Sequence, residues 1–311
     1  MLQGKFLTKQ GETALAVANF LIGLKLGARL PNISDLCAKL GVGAGTVQAA
    51  LKMLEDSGEI TLQSRGHQGT VITGINRVGL WKLTENAWIS CSMPLPYTRR
   101  FEGLATALYR QFDRAAVPFN ISFVRGGRVR IKRLVEGRVN FTICSKMTAE
   151  LAKLEFPELE ILFDFGAYSY IGKSGLVFSD ERNTRIRDGM RIAVDKYSYD
   201  DQHIVEMICR EYDVELIDVK YSDIFSRMEA GEVDATVWNW DELIEKYHDR
   251  KAYTVEQTPE MQELIRDSEN AVLVVMGKNA RDIMLLGDII DCGEVKAVQK
   301  EVIDGRRIPS Y

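Results

Sequence analysis

The chain has 311 residues, 46% hydrophobic and 27% charged, with a formal net charge of −4. Its length predicts two or three domains, and its composition is that of an ordinary folded soluble protein rather than a disordered or fibrous one. The negative balance argues against a general nucleic-acid binder, and five cysteines (Cys37, Cys91, Cys144, Cys209, Cys292) without a C-x-x-C pair argue against a disulfide framework and for a reducing, cytoplasmic compartment.

The charge is uneven. Residues 1–75 carry seven Lys/Arg, Lys5 among them, against five Asp/Glu, leaving −6 for the rest. The three histidines, His67, His203 and His248, lack metal-ligand spacing, so no metal and no other cofactor is expected. The apolar run Ala14–Leu24 superficially resembles a signal peptide, but Glu12, Asn19, Lys25 and Arg29 do not fit one. It is also too short to span a bilayer. It reads as a first helix packing Leu15, Ala18, Phe20, Leu21 and Ile22 under its neighbours.

Next comes the most informative stretch, Leu30–Ile72. Asn32 and Ser34 are candidate N-caps after Pro31; Ile33, Leu36, Cys37 and Leu40 form one apolar face; Gly41 supplies a stop. After the small residues Gly43–Gly45 a second helix buries Val47, Ala50, Leu51 and Leu54, leaving Thr46, Gln48 and Lys52 off that stripe. Two short helices joined by a tight turn make a helix-turn-helix, whose second helix enters the major groove. Ile60 and Leu62, the turn Arg65–Gly69 and Thr70–Ile72 then form a hairpin with a basic tip, a wing. The expected DNA contacts are Ser34, Thr46, Gln48, Lys52, Arg65 and His67.

This pattern resembles the GntR-type winged helix through Leu30, Pro31, Leu36, Leu40, Gly41, Val42, Thr46, Val47, Ala50, Leu51, Leu54, Glu55, Gly58 and Ile60. It departs from that type at Gly43-Ala44 and Gln48, where a Ser-Arg pair and a second Arg are usual. Base reading would then shift to Gln48, Lys52 and Arg65.

Residues 1–75 are thus expected to form the DNA-binding domain, 76–86 a linker with some helical character over Arg77–Glu85, and 87–311 the body. In the body, strands alternate with helices, predicting a mainly parallel sheet. Strands are expected at Trp88–Met93, Phe119–Val124 and Val139–Cys144. One helix runs from a Thr98 cap to about Phe112, and another follows Gly126-Gly127 with Val129, Leu134 and Val135 inward. A phrase G-x-V-[ND]-x-T-[IV] occurs at Gly137–Ile143 and again, 94 residues on, at Gly231–Val237, each after a strand–helix unit. It predicts two similar lobes. A further strand at Arg191–Asp195 leads to a helix from about Asp200 to Tyr212, and Ala271–Met276 is a buried strand returning to the first lobe. Two such lobes resemble the type II periplasmic-binding fold.

A cleft in that fold lies where strand ends face helix N-termini, which suits an anion. The expected ligand contacts are Ser92, Tyr97, Thr98, Arg99, Arg125, Ser145 and Lys146 from the first lobe, and Tyr197, Ser198, Trp238 and Asn239 from the second, with Gly126, Tyr221 and Ser222 beside them. Asp200 and Asp201, adjacent on a helix, point different ways and offer no catalytic pair. No nucleophile motif or phosphate loop is present, so the chain reads as a non-enzyme.

The runs Met93–Arg99, Glu102–Ala105, Val237–Asn239 and Pro309–Tyr311, with Gln48–Lys52 and Arg65-Gly66 in the head, are similar to the YhfZ-type bacterial regulators across nearly the whole chain. The resemblance implies a DNA-binding transcription factor with a YhfZ C-terminal ligand domain. The expectation is therefore an α/β protein, an N-terminal winged helix-turn-helix followed by a two-lobed α/β type II periplasmic-binding-like domain. It would act as a ligand-responsive, homodimeric regulator of a double-stranded DNA operator, with a small anionic effector and no membrane partner. The alternatives are a small-molecule binding protein, exported or cytoplasmic, without DNA activity, and an enzyme on a binding-protein fold.

Overall fold

A computed structural model describes residues 8–84, 88–247, 249–253 and 259–311; Lys5, Glu85, Ala87 and His248 lie outside these. Packing divides the chain into two units. One takes the chain up to Trp88 with Gln111–Pro118 and Gly277–Ile290; the other comprises Ile89–Arg110, Phe119–Met276 and Asp291–Tyr311.

The first unit holds helices α1 (Lys9–Leu21), α2 (Ile33–Leu40) and α3 (Ala44–Asp56), the hairpin β1 (Ile60–Ser64) and β2 (Thr70–Ile75), α4 (Arg77–Leu83) and, from far along the chain, α12 (Ala280–Ile289). α1 begins earlier than its apolar run, at Lys9, so its buried stripe is Thr13, Ala14, Val17, Ala18 and Leu21. Ile22 follows, fully buried. Leu15 and Phe20 are only half-buried, contrary to expectation. Phe20 is instead covered by the Lys39 ammonium, 4.0 Å from its ring. Asn32 holds the cap position of α2 without a side-chain bond, Ser34 lies inside the helix rather than capping it, and Gly41 ends the helix in the left-handed region. α3 buries Val47, Ala50, Leu51 and Leu54, as its period requires. β1 and β2 pair antiparallel, and an isolated bridge from Arg29 to Val71 adds to the wing.

Arg77 ties this unit together. It is buried, donates to the carbonyls of Ile22 (3.1 Å) and Leu24 (2.6 Å), and pairs with Asp288 of α12 at 2.9 Å. Arg281 of α12 donates to Asn19 at 2.6 Å.

The second unit contains two five-stranded sheets. The first lobe is built from β3 (Ile89–Met93), β4 (Phe119–Phe123), β5 (Phe141–Ser145), β6 (Leu159–Asp164) and β12 (Ala271–Met276), in the order β4-β3-β5-β12-β6. The second uses β7 (Ser174–Phe178), β8 (Arg191–Val194), β9 (Glu215–Asp218), β10 (Ala235–Asn239) and β11 (Ala252–Tyr253), in the order β9-β8-β10-β7-β11. In each, the first three strands are parallel and the fourth runs antiparallel to both neighbours. Helices α5 (Arg99–Arg114), α6 (Gly127–Val135), α7 (Lys146–Glu155), α8 (Tyr199–Ile208), α9 (Ile224–Glu229), α10 (Trp240–Lys246), α11 (Pro259–Glu269) and α13 (Cys292–Ile303) complete the chain.

The repeated phrase has one geometric job. Asn140 and Asp234 sit at equivalent places and accept from the backbone N–H of Ser90 (2.9 Å) and Arg191 (2.8 Å), the starts of the neighbouring strands. β12 is wholly buried and returns to the first sheet as its sequence implies. α8 ends at Ile208 rather than near Tyr212, because Cys209–Tyr212 closes into turns with no Gly or Pro marking the stop. On α6 the inward residues are Arg130, Ile131 and Leu134, with Val129 only partly covered. Among the described residues no helix is long and apolar enough to cross a membrane.

Arg77→Ala strands two buried carbonyls and one carboxylate. Urea unfolding should show a loss of about 2–4 kcal/mol for the head unit. A change below about 0.5 kcal/mol would mean Arg77 does not hold the unit together.

Candidate functional site

In the head, Gln48 and Lys52 are exposed one turn apart on α3, flanked by the exposed small residues Ala44 and Gly45, with Thr46 half-buried. Ser34 is exposed on α2. Arg65 and His67 are exposed at the wing tip, where Arg65 reaches Gln63 at 3.4 Å. The structure adds Arg29. Its guanidinium lies along the wing where Gly69 leaves room, since a Cβ there would come within 2.6 Å of Nε. Only the bridge to Val71 reveals it, which no local pattern announces.

In the second unit a cavity of about 160 Å³ opens between the two lobes. Its first-lobe wall is Pro94, Leu95, Tyr97, Phe101, Arg125, Gly126, Gly127 and Arg130; the second lobe contributes Asp195, Ser198, Asp200, Asp201, Ile204, Tyr221, Val237, Trp238, Asn239 and Glu242. Of the residues expected from sequence, Tyr97, Arg125, Ser198, Trp238 and Asn239 line it, with Gly126 and Tyr221.

The others lie elsewhere. Ser92 is buried in the first sheet, bonded to Thr142 at 2.9 Å. Thr98 is buried with its hydroxyl unpartnered, so it caps nothing. Arg99 is exposed, its backbone N–H on Glu245. Lys146 pairs with Asp267 at 2.9 Å. Ser222 is bonded to Asp223. Ser145 caps α7 and donates to Asp200 at 2.8 Å, acting behind the wall. Tyr197 turns its ring outward, but its carbonyl accepts from Arg128 N–H at 3.1 Å.

That last contact explains Gly126, while Gly127 makes room for α7 of its own lobe. Gly126 has φ +83°, and a Cβ on it would sit 2.8 Å from the Tyr197 carbonyl oxygen; a Cβ on Gly127 would sit 2.9 Å from Thr148 Oγ1. The lobes therefore meet backbone to backbone. Around this point Arg125 pairs with Asp195 at 3.1 Å, Arg128 stacks 3.7 Å from the Tyr199 ring centre, and Ser145 and Thr148 both donate to Asp200.

Sequence reasoning missed Arg130 and set aside Asp200 and Asp201. Arg130 is buried, donating to the carbonyls of Ile143 and Val124 and to the Tyr170 hydroxyl at 3.2, 2.8 and 2.8 Å. Its signal was a charge on the apolar face of α6, beside Ile131 and Leu134. The two aspartates do diverge, Asp200 toward Ser145 and Asp201 toward the Asp195 N–H at 2.5 Å, yet both line the cavity. Burial pushes the Asp201 carboxyl up to about 7, aided by the nearby Asp195 and Asp200 charges. Burial likewise raises Asp200 and Glu242. Tyr97, Tyr221 and Trp238 form an aromatic wall, with ring centres 5.8 and 4.0 Å apart. Tyr221 donates to Glu242 at 2.5 Å.

Residues 76–311 match the YhfZ C-terminal domain and residues 25–72 a helix-turn-helix domain. The chain belongs to the YhfZ family. An uncharacterized YhfZ protein of Escherichia coli strain K12 is 30% identical over 308 residues, covering 98% of this chain and 99% of that one. The crystal structure of YhfZ from Shigella flexneri superposes with a TM-score of 0.61 at 27% identity, over 75% of this chain and 97% of that one. The periplasmic aliphatic sulphonate binding protein SsuA from Escherichia coli, 9% identical, matches with a TM-score of 0.53 over 71% of this chain and 76% of its own. That likeness shows the fold, and the YhfZ body is thus of the periplasmic-binding type.

Asp201 makes stability of this YhfZ body pH-dependent. Its folded pKa lies above the ordinary carboxylate value, so the folded state holds the proton more tightly. The associated stability is complete below about pH 4 and is lost as pH rises through 7. Asp201→Asn should flatten that part of a Tm-against-pH profile between pH 5 and 8. A slope identical to the parent's would place the shifted proton elsewhere.

Proposed function

We propose that this chain is a ligand-responsive transcriptional regulator, whose GntR-like head reads a double-stranded operator and whose interlobe cavity senses a small metabolite bearing an anionic group. The observation that carries the reading is the joining, in one chain, of a helix-turn-helix and a binding-protein-like body with an interlobe cavity. Such a body has an obvious use for a DNA-binding partner domain: ligand affinity that differs between two states shifts the population of the head's states.

At the DNA, α3 lacks an arginine in its first turn, so base reading falls to Gln48, whose amide suits adenine, supported by Thr46. Lys52, Arg65, His67 and the added Arg29 hold phosphates, with Ser34 on the flanking backbone. Two copies, as a homodimer, would read two half-sites about one helical turn or a multiple apart.

At the cavity, Arg130 supports an anionic ligand group. Its guanidinium has five N–H groups, and three are used on neutral oxygens. Arg125 stands beside it, already paired with Asp195.

A salt series on the full chain, using its own upstream DNA and unrelated DNA, tests the head. Lys52→Ala and Arg65→Ala should each weaken binding and lower the slope of log K against log salt by about 0.9. Gln48→Ala should cost about 1–3 kcal/mol on the operator alone. Equal binding to both DNAs, untouched by these changes, would contradict operator recognition.

A further inference from the structure

The cavity's charges do not balance within the protein, and the imbalance is specific. Four carboxylates line it: Asp195, Asp200, Asp201 and Glu242. Asp195 is paired with Arg125. Asp200 accepts from two hydroxyls and feels the charge of Arg130. Glu242 accepts from Tyr221 and lies 3.7 Å from the Lys246 ammonium. Among the described residues the Asp201 carboxylate accepts only from the backbone N–H of Asp195, and the charges that act on it are the acids Asp195 and Asp200.

On the other lobe stands the converse. Arg130 is 3% exposed and makes no ion pair among the described residues, giving its bonds to two carbonyls and a phenol. A buried guanidinium that bonds to no carboxylate, with Asp200 acting on it only through space, and a half-buried carboxylate with no cation acting on it thus face one small cavity from opposite lobes. Each is costly alone, because a charge shielded from water needs a counter-charge. One molecule carrying both complementary charges relieves both, and in doing so holds the lobes together.

We propose that the cavity binds a small zwitterion, an amino acid in the broad sense, with its carboxylate on Arg130 and its ammonium on Asp201. This rests on the cavity being the sensing site. The size agrees. At about 160 Å³ the space is close to engineered cavities of about 150 Å³ that hold benzene, so the ligand has only a handful of heavy atoms. The apolar part of such a ligand meets Leu95, Phe101, Ile204 and Val237. The indole N–H of Trp238, buried and without a partner among the described residues, supplies one further donor on this wall.

The test uses the full-length chain and matched compounds. L-Norvaline, 3-aminobutyrate and 4-aminobutyrate are each compared with the acid lacking the amine (pentanoate or butyrate) and with the N-acetyl derivative, by thermal shift up to about 10 mM and then by titration calorimetry. At least one amino acid should raise Tm and bind at least about 30-fold more tightly than its deaminated and acetylated counterparts. Asp201→Asn keeps an acceptor for the Asp195 N–H, so the variant should fold, yet it should erase that 30-fold preference. Simple acids that bind as well as the amino acids would overturn the zwitterion while leaving an anion-sensing regulator in place. A preference unchanged in Asp201→Asn, or no amino acid raising Tm, would also overturn it. Operator binding judges the regulator reading separately.

Discussion

Everything about the body turns on one close approach. At Gly126 the chain of the first lobe passes so near the Tyr197 carbonyl that no side chain fits, and the conformation is one that other residues rarely adopt. That contact lets Arg128 N–H reach Tyr197 and Arg125 reach Asp195, and sets α8 against α7 so that Ser145 and Thr148 grip Asp200. The cavity exists because the lobes meet there. A bulkier residue at Gly126 would force the two lobes apart at this contact.

Around that contact the charges are distributed by a simple rule. Where protein supplies both partners, as at Arg125–Asp195, the pair locks one lobe to the other. Where it supplies only one, as at Arg130 and Asp201, a ligand has something to complete. The helix-turn-helix unit has its own lock in Arg77, which binds the end of α1 to α12. α12 directly follows β12, a wholly buried interior strand of the first-lobe sheet. The chain thus runs directly from a strand of the first-lobe sheet into a helix of the head unit.

Much of the fold was legible because periodicity is a direct consequence of burial. The stripe Val47, Ala50, Leu51, Leu54 and the buried run of β12 could hardly be read otherwise. The repeated phrase was informative because Asn140 and Asp234 perform the same backbone bond in each lobe. Less was legible where tertiary contact overrides local pattern. β6, β7 and β11 were not anticipated: β6 and β11 lie at sheet edges, and β7, like β6 and β11, pairs antiparallel. α12 joins a unit more than 190 residues earlier in sequence, through an ion pair that no local rule predicts. In the site, strand-end loops were the right places to look, and Tyr97, Arg125, Ser198, Trp238 and Asn239 followed from them. Ser92, Thr98 and Lys146 did not reach the cavity, since a one-residue step along a strand or helix turns a side chain to another face. Arg130 escaped because helical amphipathicity assigns a charge to solvent, and a buried exception shows only in three dimensions.

The most direct test of the account is hydrogen exchange on the full chain, free and saturated with operator DNA. Any coupling between head and body would be reciprocal, so DNA must alter the body if the body is to alter DNA binding. The account predicts changed protection at the lobe contacts, Arg125–Val129 and Lys196–Gln202, as well as in α2, α3 and the wing. A change confined to the helix-turn-helix and wing, with the lobe contacts unmoved, would contradict it.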